Sequence, residues 1–280
     1  MRDAPWHGYF INLERSPDRR ASIKAGLAGA GIGDRYQRFQ AVDGRLAASQ
    51  IASNLPDGAL GCLLSHAALM SLPHLRDCFL HVLEDDATLS RYFVPLMEHL
   101  LASGALQHFD LVFTDGAPFP NDAPTIEKLK QAYDAATAGP EPRFGLLDLR
   151  HFPFAGTTSY FVNPESLDKI RTVLRNTTPP LLPVDTLYGT MIQQGHLRAA
   201  CIFPFATATN PRLVSEINGV QTLLASAFDA VRYVFYADAD IVAAVPMFGF
   251  RPKSRTGDAR LDFLTEIQRA LQAAIEERGR

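Results

Sequence analysis

The chain has 280 residues, 47% of them hydrophobic and 20% charged, and its formal net charge is −3. This balance indicates a globular protein with a sizeable core and excludes a strong overall attraction to nucleic acid. The cysteines form no C-x-x-C pair, so we expect reduced thiols and neither a disulfide framework nor structural zinc. Because we find no signal-peptide core and no apolar run long enough to cross a membrane, we expect a cytoplasmic protein.

Short apolar runs predict strands, and the amphipathic segments between them predict helices. We predict strands at residues 9–13, 36–42, 79–83, 109–115, 145–152, 157–163 and 197–205. We predict helices after Ser16, from about Gly61, over 92–102, from Pro164 and from Val184. The stretch over 116–143 has one charged helical run and suggests an excursion beside the site. Alternating strands and helices predict an α/β sheet with much parallel pairing.

The character of the sequence changes from about Asn218 onwards. Two apolar helical segments follow, and the second places five residues on one face, namely Leu261, Leu264, Ile267, Leu271 and Ile275. We therefore predict a main domain over 1–217 and a C-terminal helical appendage over 218–280. We expect the apolar face to pack on the body or to form a homodimer. A peripheral membrane contact stays open, because basic residues lie nearby.

Three consecutive acids, Glu84 to Asp86, follow the apolar strand FLHVL. In α/β sheets, ligands bind beyond the carboxyl ends of strands. Alternation along an extended backbone predicts that Glu84 and Asp86 face one ion while Asp85 turns aside. Hard oxygen ligands suit Mg²⁺ or Mn²⁺ bound together with a diphosphate. The alternative interpretation is a solvated acidic cluster before a helix.

The segment NLERSPDRR can present Arg15, Arg19 or Arg20 to a nucleotide's phosphates or base at a helix start, although arginines there are usually a solvated face. In GCLLSH, Ser65 and His66 are adjacent on a helix, so their side chains diverge and predict no nucleophile–base pair. A ligand-contacting or sheet-packing role fits them better.

Two further acidic motifs have simpler explanations. Asp185, in PVD, opens a helix, where either a cap or a general base across the cleft from the metal is expected. Asp238 and Asp240 have the acid-x-acid spacing, but they lie in a predicted helical stretch, where residues two apart face different ways. We therefore regard this pair as a decoy.

In this order, the motifs resemble glycosyltransferase family 25, which includes bacterial lipooligosaccharide galactosyltransferases and, more distantly, collagen galactosyltransferases. The matching segments are NLERSPDRR (12–20), AVDG (41–44), GCLLSH (61–66), VLEDDA (82–87), SYFVN (159–163) and PVD (183–185). The likeness spans residues 8 to about 216. It implies a GT-A-like, Rossmann-related mixed sheet flanked by helices, a nucleotide-sugar donor that is often UDP-galactose, and inversion at the anomeric carbon.

The resemblance also implies roles for individual residues. The acidic triplet would be the D-x-D-type metal and donor site, with Glu84 and Asp86 as ligands of Mn²⁺ or Mg²⁺. The donor-side candidates are Asn12, Arg15, Arg19, Asp43, Ser65, His66 and Asp85. For the base that deprotonates the acceptor hydroxyl we nominate Asp185, with Asp115 as the second candidate.

The expected partners are a UDP-sugar and a glycan or glycoconjugate acceptor, with no nucleic acid. A lipid-linked acceptor would place the enzyme at the inner membrane face. Two other classes stay open: a metal-dependent phosphohydrolase using the same acids, and a non-catalytic module that binds nucleotide sugars or carbohydrate.

Overall fold

The computed structural model describes residues 6–73, 75, 78–175, 180–213, 222–253 and 255–278. The strands are β1 (Trp6–Asn12), β2 (Tyr36–Gln40), β3 (Phe79–Glu84), β4 (Ala87–Leu89), β5 (Leu111–Phe113), β6 (Ala117–Pro118), β7 (Gly145–Asp148), β8 (Phe154–Ala155), β9 (Ser159–Val162), β10 (Ala199–Phe203) and β11 (Thr207–Thr209). Seven of them form one mixed sheet in the order β2-β1-β3-β9-β5-β10-β7. β4 pairs with β11, and β6 pairs with β8.

The helices are α1 (Pro17–Gly29), α2 (Gly44–Ala47), α3 (Asp57–Met70), α4 (Phe93–Ala102), α5 (Ala123–Ala136), α6 (Leu167–Arg175), α7 (Val184–Gln193), α8 (Leu223–Val234), α9 (Ile241–Ala244) and α10 (Ala259–Arg278). Among the described residues, no helix is both long and apolar enough to cross a membrane. The predicted α/β class, with a mixed sheet flanked by helices and a C-terminal helix, is confirmed.

Strand direction determines which chain ends meet at the site. β1, β2 and β3 are parallel, while β9 runs antiparallel to both β3 and β5. β5 therefore runs in the same direction as β3, and its parallel partner β10 does so too. The carboxyl ends of these five strands share one edge of the sheet. The reversed strand β9 begins at that same edge, opposite Leu83.

Both faces of the sheet are covered, because alternate residues of each strand enter different cores. Tyr9 and Ile11 of β1 contribute to a large core on one face, whereas Phe10 between them contributes to a smaller core on the other face. Val82 and Leu83 of β3 divide in the same way. This burial explains why the strands are nearly continuous apolar runs.

Several predicted boundaries were wrong. α3 begins at Asp57, a turn before Gly61, and the strand predicted over 145–152 ends at Asp148 in a short 3₁₀ turn. The stretch over 116–143 is not an excursion, since α5 buries Ile126 and Leu129 in the large core. An amphipathic helix with a buried face is part of the packed body.

The C-terminal helices share the large core with the sheet. Leu264, Ile267 and Leu271 of α10 are buried in it, but Leu261 is 40% exposed and Ile275 is 59% exposed. The buried stripe is therefore narrower than the sequence predicts. The expected boundary between residues 217 and 218 lies outside the described residues, and the division into two domains stays a prediction.

Asp238 and Asp240 do not lie in a helix, contrary to the sequence prediction. They occupy the turn between α8 and α9. Asp240 caps α9 by accepting a hydrogen bond from the Ala243 amide, and Asp238 accepts one from the Arg91 amide. Both carboxylates are explained by these local roles.

Candidate active site

The acidic triplet lies at the carboxyl edge of the sheet. Glu84 ends β3, and Asp85 and Asp86 form the turn before β4. Since the strand ends at Glu84, the strand alternation used to orient the triplet does not apply to Asp86. Arg19 lies against the turn, with Nη2 2.7 Å from Asp85 Oδ1 and 2.5 Å from Asp86 Oδ2. One guanidinium thus partly balances two adjacent carboxylates.

Asn12 ends β1 and is buried behind this turn. Its side-chain amide donates to Asp85 Oδ2 at 2.6 Å, and its carbonyl oxygen accepts from Arg38 Nε at 3.0 Å. Asp85 is therefore turned towards Asn12 and Arg19. The contacts give Asn12 the role of orienting the acidic turn from behind.

Glu84 is held by groups from two other elements. The Thr157 hydroxyl donates to Glu84 Oε1 at 2.8 Å, and His66 Nε2 lies 3.5 Å from the same oxygen. The histidine's other nitrogen, Nδ1, shares a 2.7 Å hydrogen bond with the Tyr160 hydroxyl. Burial acts to raise the pKa of Glu84, but His66, Thr157 and Arg232 bring it below its ordinary value. Glu84 is therefore suited to remain an anion.

Asp86 has the opposite electrostatic balance. Burial raises its pKa to about 7, opposed by Arg19 and reinforced by Glu84 and Asp85. Among the described residues, the buried Oδ1 of Asp86 has no hydrogen-bond partner. A buried carboxylate oxygen of this kind can be satisfied either by protonation or by a bound cation. Glu84 and Asp86 thus offer oxygen ligands, the type that hard divalent ions such as Mg²⁺ and Mn²⁺ take.

Cys62 lies one helical turn before His66 on α3, and we did not predict it as a possible ligand. The sulfur, a nitrogen of His66 and an oxygen of Glu84 lie within 4.8 Å of one another. Burial and the charge of Glu84 raise the pKa of the Cys62 thiol well above its ordinary value, which disfavours the thiolate that zinc sites use. Among the described residues, Cys62, Cys78 and Cys201 form no disulfide.

Two glycines explain why the AVDG and GCLLSH motifs occur together. A Cβ on Gly44 would lie 1.7 Å from the Asp57 carbonyl oxygen, and one on Gly61 would lie 2.8 Å from the Val42 carbonyl oxygen. Only glycine allows these backbones to approach so closely. Ser65 Oγ accepts from the Val42 amide at 2.8 Å, so this buried serine fixes the loop that carries Asp43.

The first cavity lies over these motifs and has a volume of about 440 Å³. Charged and polar residues of its wall include Arg15, Arg19, Asp43, Arg45, Asp57, Ser65, His66, Glu84, Asp85 and Asp86. The structure brings together there every donor-side candidate except Asn12, which lies behind Asp85. Arg15 forms an ion pair with Asp43 at the cavity wall.

The second cavity adjoins the first and has a volume of about 430 Å³. Pro56, Cys62, Glu84 and Asp86 line both cavities, so the acids stand at a shared wall. The rest of the second cavity includes Thr157, Asp185, Asn210, Phe228, Asp229, Arg232 and Phe248.

Asp185 lies in the second cavity, within the first turn of α7. Pro183, rather than Asp185, occupies the cap position, which corrects the cap interpretation. The Asp185 carboxylate accepts from the Gly156 amide at 3.0 Å and from the Thr186 amide at 2.7 Å. Two backbone amides thus fix its orientation.

Asp115 follows β5 and is 2% exposed. It is not among the residues that line either cavity. Its Oδ2 lies 3.6 Å from Arg232 Nη1. Burial raises the pKa of Asp115 to about 6, against the opposing effect of Arg232. The structure therefore places this candidate behind Arg232 rather than at the cavity surface.

Sequence reasoning missed Asp229 and Arg232, which α8 brings to the second cavity. Thr209 Oγ1 donates to Asp229 at 3.2 Å, and Arg232 is 5% exposed. Burial raises the pKa of Asp229. The available signal was a pair of opposite charges three residues apart in an otherwise apolar helix.

A family model described as glycosyltransferase family 25 (LPS biosynthesis protein) matches residues 6–188. The match covers more than half of the chain, so the chain belongs to this family. The protein is therefore a glycosyltransferase of lipopolysaccharide biosynthesis, an enzyme that would use a nucleotide-sugar donor. A comparison with curated proteins finds no match.

Proposed function

We propose that the enzyme transfers a hexose, namely galactose, from a UDP-sugar to a hydroxyl of a glycan or glycoconjugate acceptor. The transfer inverts the configuration of the anomeric carbon and depends on a divalent cation. The observation that carries this proposal is the shared wall, where Glu84 and Asp86 line both cavities. Sugar transfer needs a donor diphosphate and an acceptor hydroxyl on either side of one anomeric carbon. Two cavities of similar size that meet at an acidic turn suit that requirement.

The first cavity suits the donor. Its wall carries the guanidinium groups of Arg15, Arg19 and Arg45, which can bind a nucleotide's phosphates. Asp86, together with Glu84, would hold Mg²⁺ or Mn²⁺ beside the diphosphate. When bound, that ion supplies positive charge against the negative charge that develops as the nucleotide leaves. Arg19 keeps the acidic turn in place from the protein side.

The second cavity suits the acceptor. Its carboxylates, Asp185 and Asp229, can accept hydrogen bonds from sugar hydroxyls, and Phe228 offers an apolar ring for a sugar face. We assign Asp185 as the base, because its two amide contacts orient it within this cavity. In the reaction, the acceptor oxygen attacks the anomeric carbon while the bond to UDP breaks, and the acceptor proton passes to Asp185. Asp115 is the weaker candidate because Arg232 lies against it.

A GT-A-like arrangement, a cytoplasmic location at the inner membrane face and a homodimer through the C-terminal helices complete the proposal. The exposed Leu261 and Ile275 of α10 are the side chains available to a second subunit or a membrane surface.

The test is to incubate the purified enzyme with UDP-galactose and a panel of glycan acceptors, with Mn²⁺, Mg²⁺ or EDTA. We expect UDP release that depends on acceptor and metal, and an NMR spectrum of the product that shows the inverted anomer. Release of inorganic phosphate would instead indicate a phosphohydrolase. Metal-dependent binding of UDP-galactose without product would indicate a non-catalytic module.

A further inference from the structure

Three consecutive residues, Gly156 to Thr158, contact both acids of the proposed reaction. The Gly156 amide donates to Asp185 at 3.0 Å, and the Thr157 hydroxyl donates to Glu84 at 2.8 Å. The Thr158 carbonyl oxygen also accepts from the Glu84 amide at 2.8 Å. This 156–158 segment therefore links the acid at the shared wall to the base in the second cavity.

Arg232 holds the same segment from the other side. Its Nη1 donates to the Thr158 hydroxyl at 2.7 Å and lies 3.6 Å from Asp115. The guanidinium is nearly fully buried, and its pKa is raised because four neighbouring carboxylates outweigh the effect of burial. A buried arginine with a fixed fork of donors is an effective anchor for a loop.

Gly156 shows how closely the arginine lies against the segment. Its φ is +92°, and a Cβ built there would lie 2.1 Å from Arg232 Nη2. Glycine is therefore required both by the backbone conformation and by the space that the guanidinium occupies.

We infer that Arg232 is a positioning residue, which acts through the 156–158 segment to hold Asp185 in line with the reaction centre marked by Glu84. The inference rests on the proposed function, in which Asp185 is the base. It assigns a part in catalysis to α8, a helix outside the matched residues 6–188. A displacement of about 1 Å at a reacting group can lower turnover by about 10²-fold, so loss of this anchor should be visible in kcat.

Two substitutions test the anchor. Arg232→Lys keeps the charge but loses the planar fork, and Thr158→Val removes only the hydroxyl that receives it. We expect each to lower kcat by about 10- to 100-fold while the KM for the UDP-sugar stays within about twofold. Thr207→Val is the matched control, because it removes a buried 2.8 Å contact between the hydroxyls of Thr207 and Thr114 outside both cavities. It should keep the kcat of the wild type.

A double-mutant cycle with Asp185→Asn separates positioning from general damage. If Arg232 acts through Asp185, Arg232→Lys should change kcat by less than about twofold in the Asp185→Asn background. A loss that persists in full there, or a folded Arg232→Lys enzyme with the kcat of the wild type, would overturn the inference and leave the base assignment intact. An Asp185→Asn enzyme with normal turnover would overturn both. If Arg232→Lys does not fold, Thr158→Val is judged by the same criteria.

Discussion

The two cavities share a wall but are assembled differently. Residues that line the first lie between Ile11 and Asp86, whereas those of the second range from Pro56 to Phe248. The first is built by compact motifs at the ends of neighbouring strands. The second needs α7, the approach to β9 and the distant helix α8. A donor side made from short local motifs can be recognised in a sequence, while an acceptor side assembled from separated segments is much harder to find.

The two cavities also differ in the charged residues that line them. Three arginines line the first, together with five carboxylates, Asp43, Asp57, Glu84, Asp85 and Asp86. The second has four carboxylates in its wall, Glu84, Asp86, Asp185 and Asp229, together with Arg232, which is directed at Thr158 and Asp115. The difference that supports the proposed assignment is the number of arginines, since guanidinium groups bind phosphate.

Removing Asp86, one of the two acids at the shared wall, should have the largest effect on turnover. We expect Asp86→Ala to lower kcat by at least about 10³-fold, because the group that fits the cation at the shared wall is lost. Metal-dependent stabilisation by UDP, measured as a shift in melting temperature, should disappear as well. Turnover close to that of the wild type would mean that the cavities do not meet at a metal-dependent reaction centre.

Asp185→Asn tests the second cavity without touching the first. We expect kcat to fall by about 10²- to 10³-fold, since the amide cannot accept the acceptor's proton. The Kd for UDP, measured by calorimetry, should change by less than about twofold. Asp34→Asn, at an exposed carboxylate outside both cavity walls, is the control. A large change in UDP affinity would contradict the separation into donor and acceptor sides.

The substitution Ile267→Ala tests whether the C-terminal helices fold as one cooperative unit with the sheet. Ile267 is fully buried in the core shared with the sheet, so truncation should lower the free energy of unfolding by about 3 kcal/mol. Ile275→Ala, at an exposed position of the same helix, should change it by less than about 0.5 kcal/mol. Denaturant titration should show one transition for both variants, and a separate early transition in Ile267→Ala would indicate an independent appendage.

The smallest expected effect concerns the sheet beneath both cavities. His81 of β3 is buried between Tyr36 and Ser159, and burial lowers its pKa from 6.5 to about 3. Below about pH 6.5, His81 is therefore protonated in the unfolded chain but stays neutral in the folded protein. The contribution of neutral His81 to stability is fully present above this pH and is lost as the pH falls towards 3. Between pH 7 and pH 5, the free energy of unfolding should decrease by about 2 kcal/mol.

Chemical denaturation across this pH range measures the effect. In His81→Asn, the free energy of unfolding should fall by about 2 kcal/mol less than in the wild type between pH 7 and pH 5. In the exposed-site variant His151→Gln, it should fall as much as in the wild type. An unchanged slope in His81→Asn would show that another group dominates acid unfolding.

The sequence predicted the fold well where burial and period coincide. Continuous apolar runs marked β1, β3 and β10 because these strands are covered on both faces. Leu261 and Ile275 were assigned to a buried stripe because helical periodicity cannot reveal where the partner surface ends. The start of α3 was misplaced because Pro56 and Asp57 resemble a loop until the helix that follows is seen.

Parts of the candidate site were visible only as residue types. Glu84, Asp86 and Asp185 stood out because acids beside apolar segments need an explanation. Ser65 could not be recognised as a clamp on the Val42 amide, since the partner lies in a distant loop. Arg232 was missed because an arginine in an apolar helix suggests an exposed face, and only the tertiary structure brings Asp115 and Thr158 to it.

The reversal of β9 has a consequence for how this enzyme could change. Five strands end at the edge of the sheet that carries the candidate site, whereas β9 begins there, so the residues before β9 lie at this edge. An insertion ahead of Ser159 would enter the 156–158 segment, which contacts Glu84 at the shared wall as well as Asp185 in the second cavity. Any change in this loop would therefore act on the metal-side acid and on the acceptor pocket together.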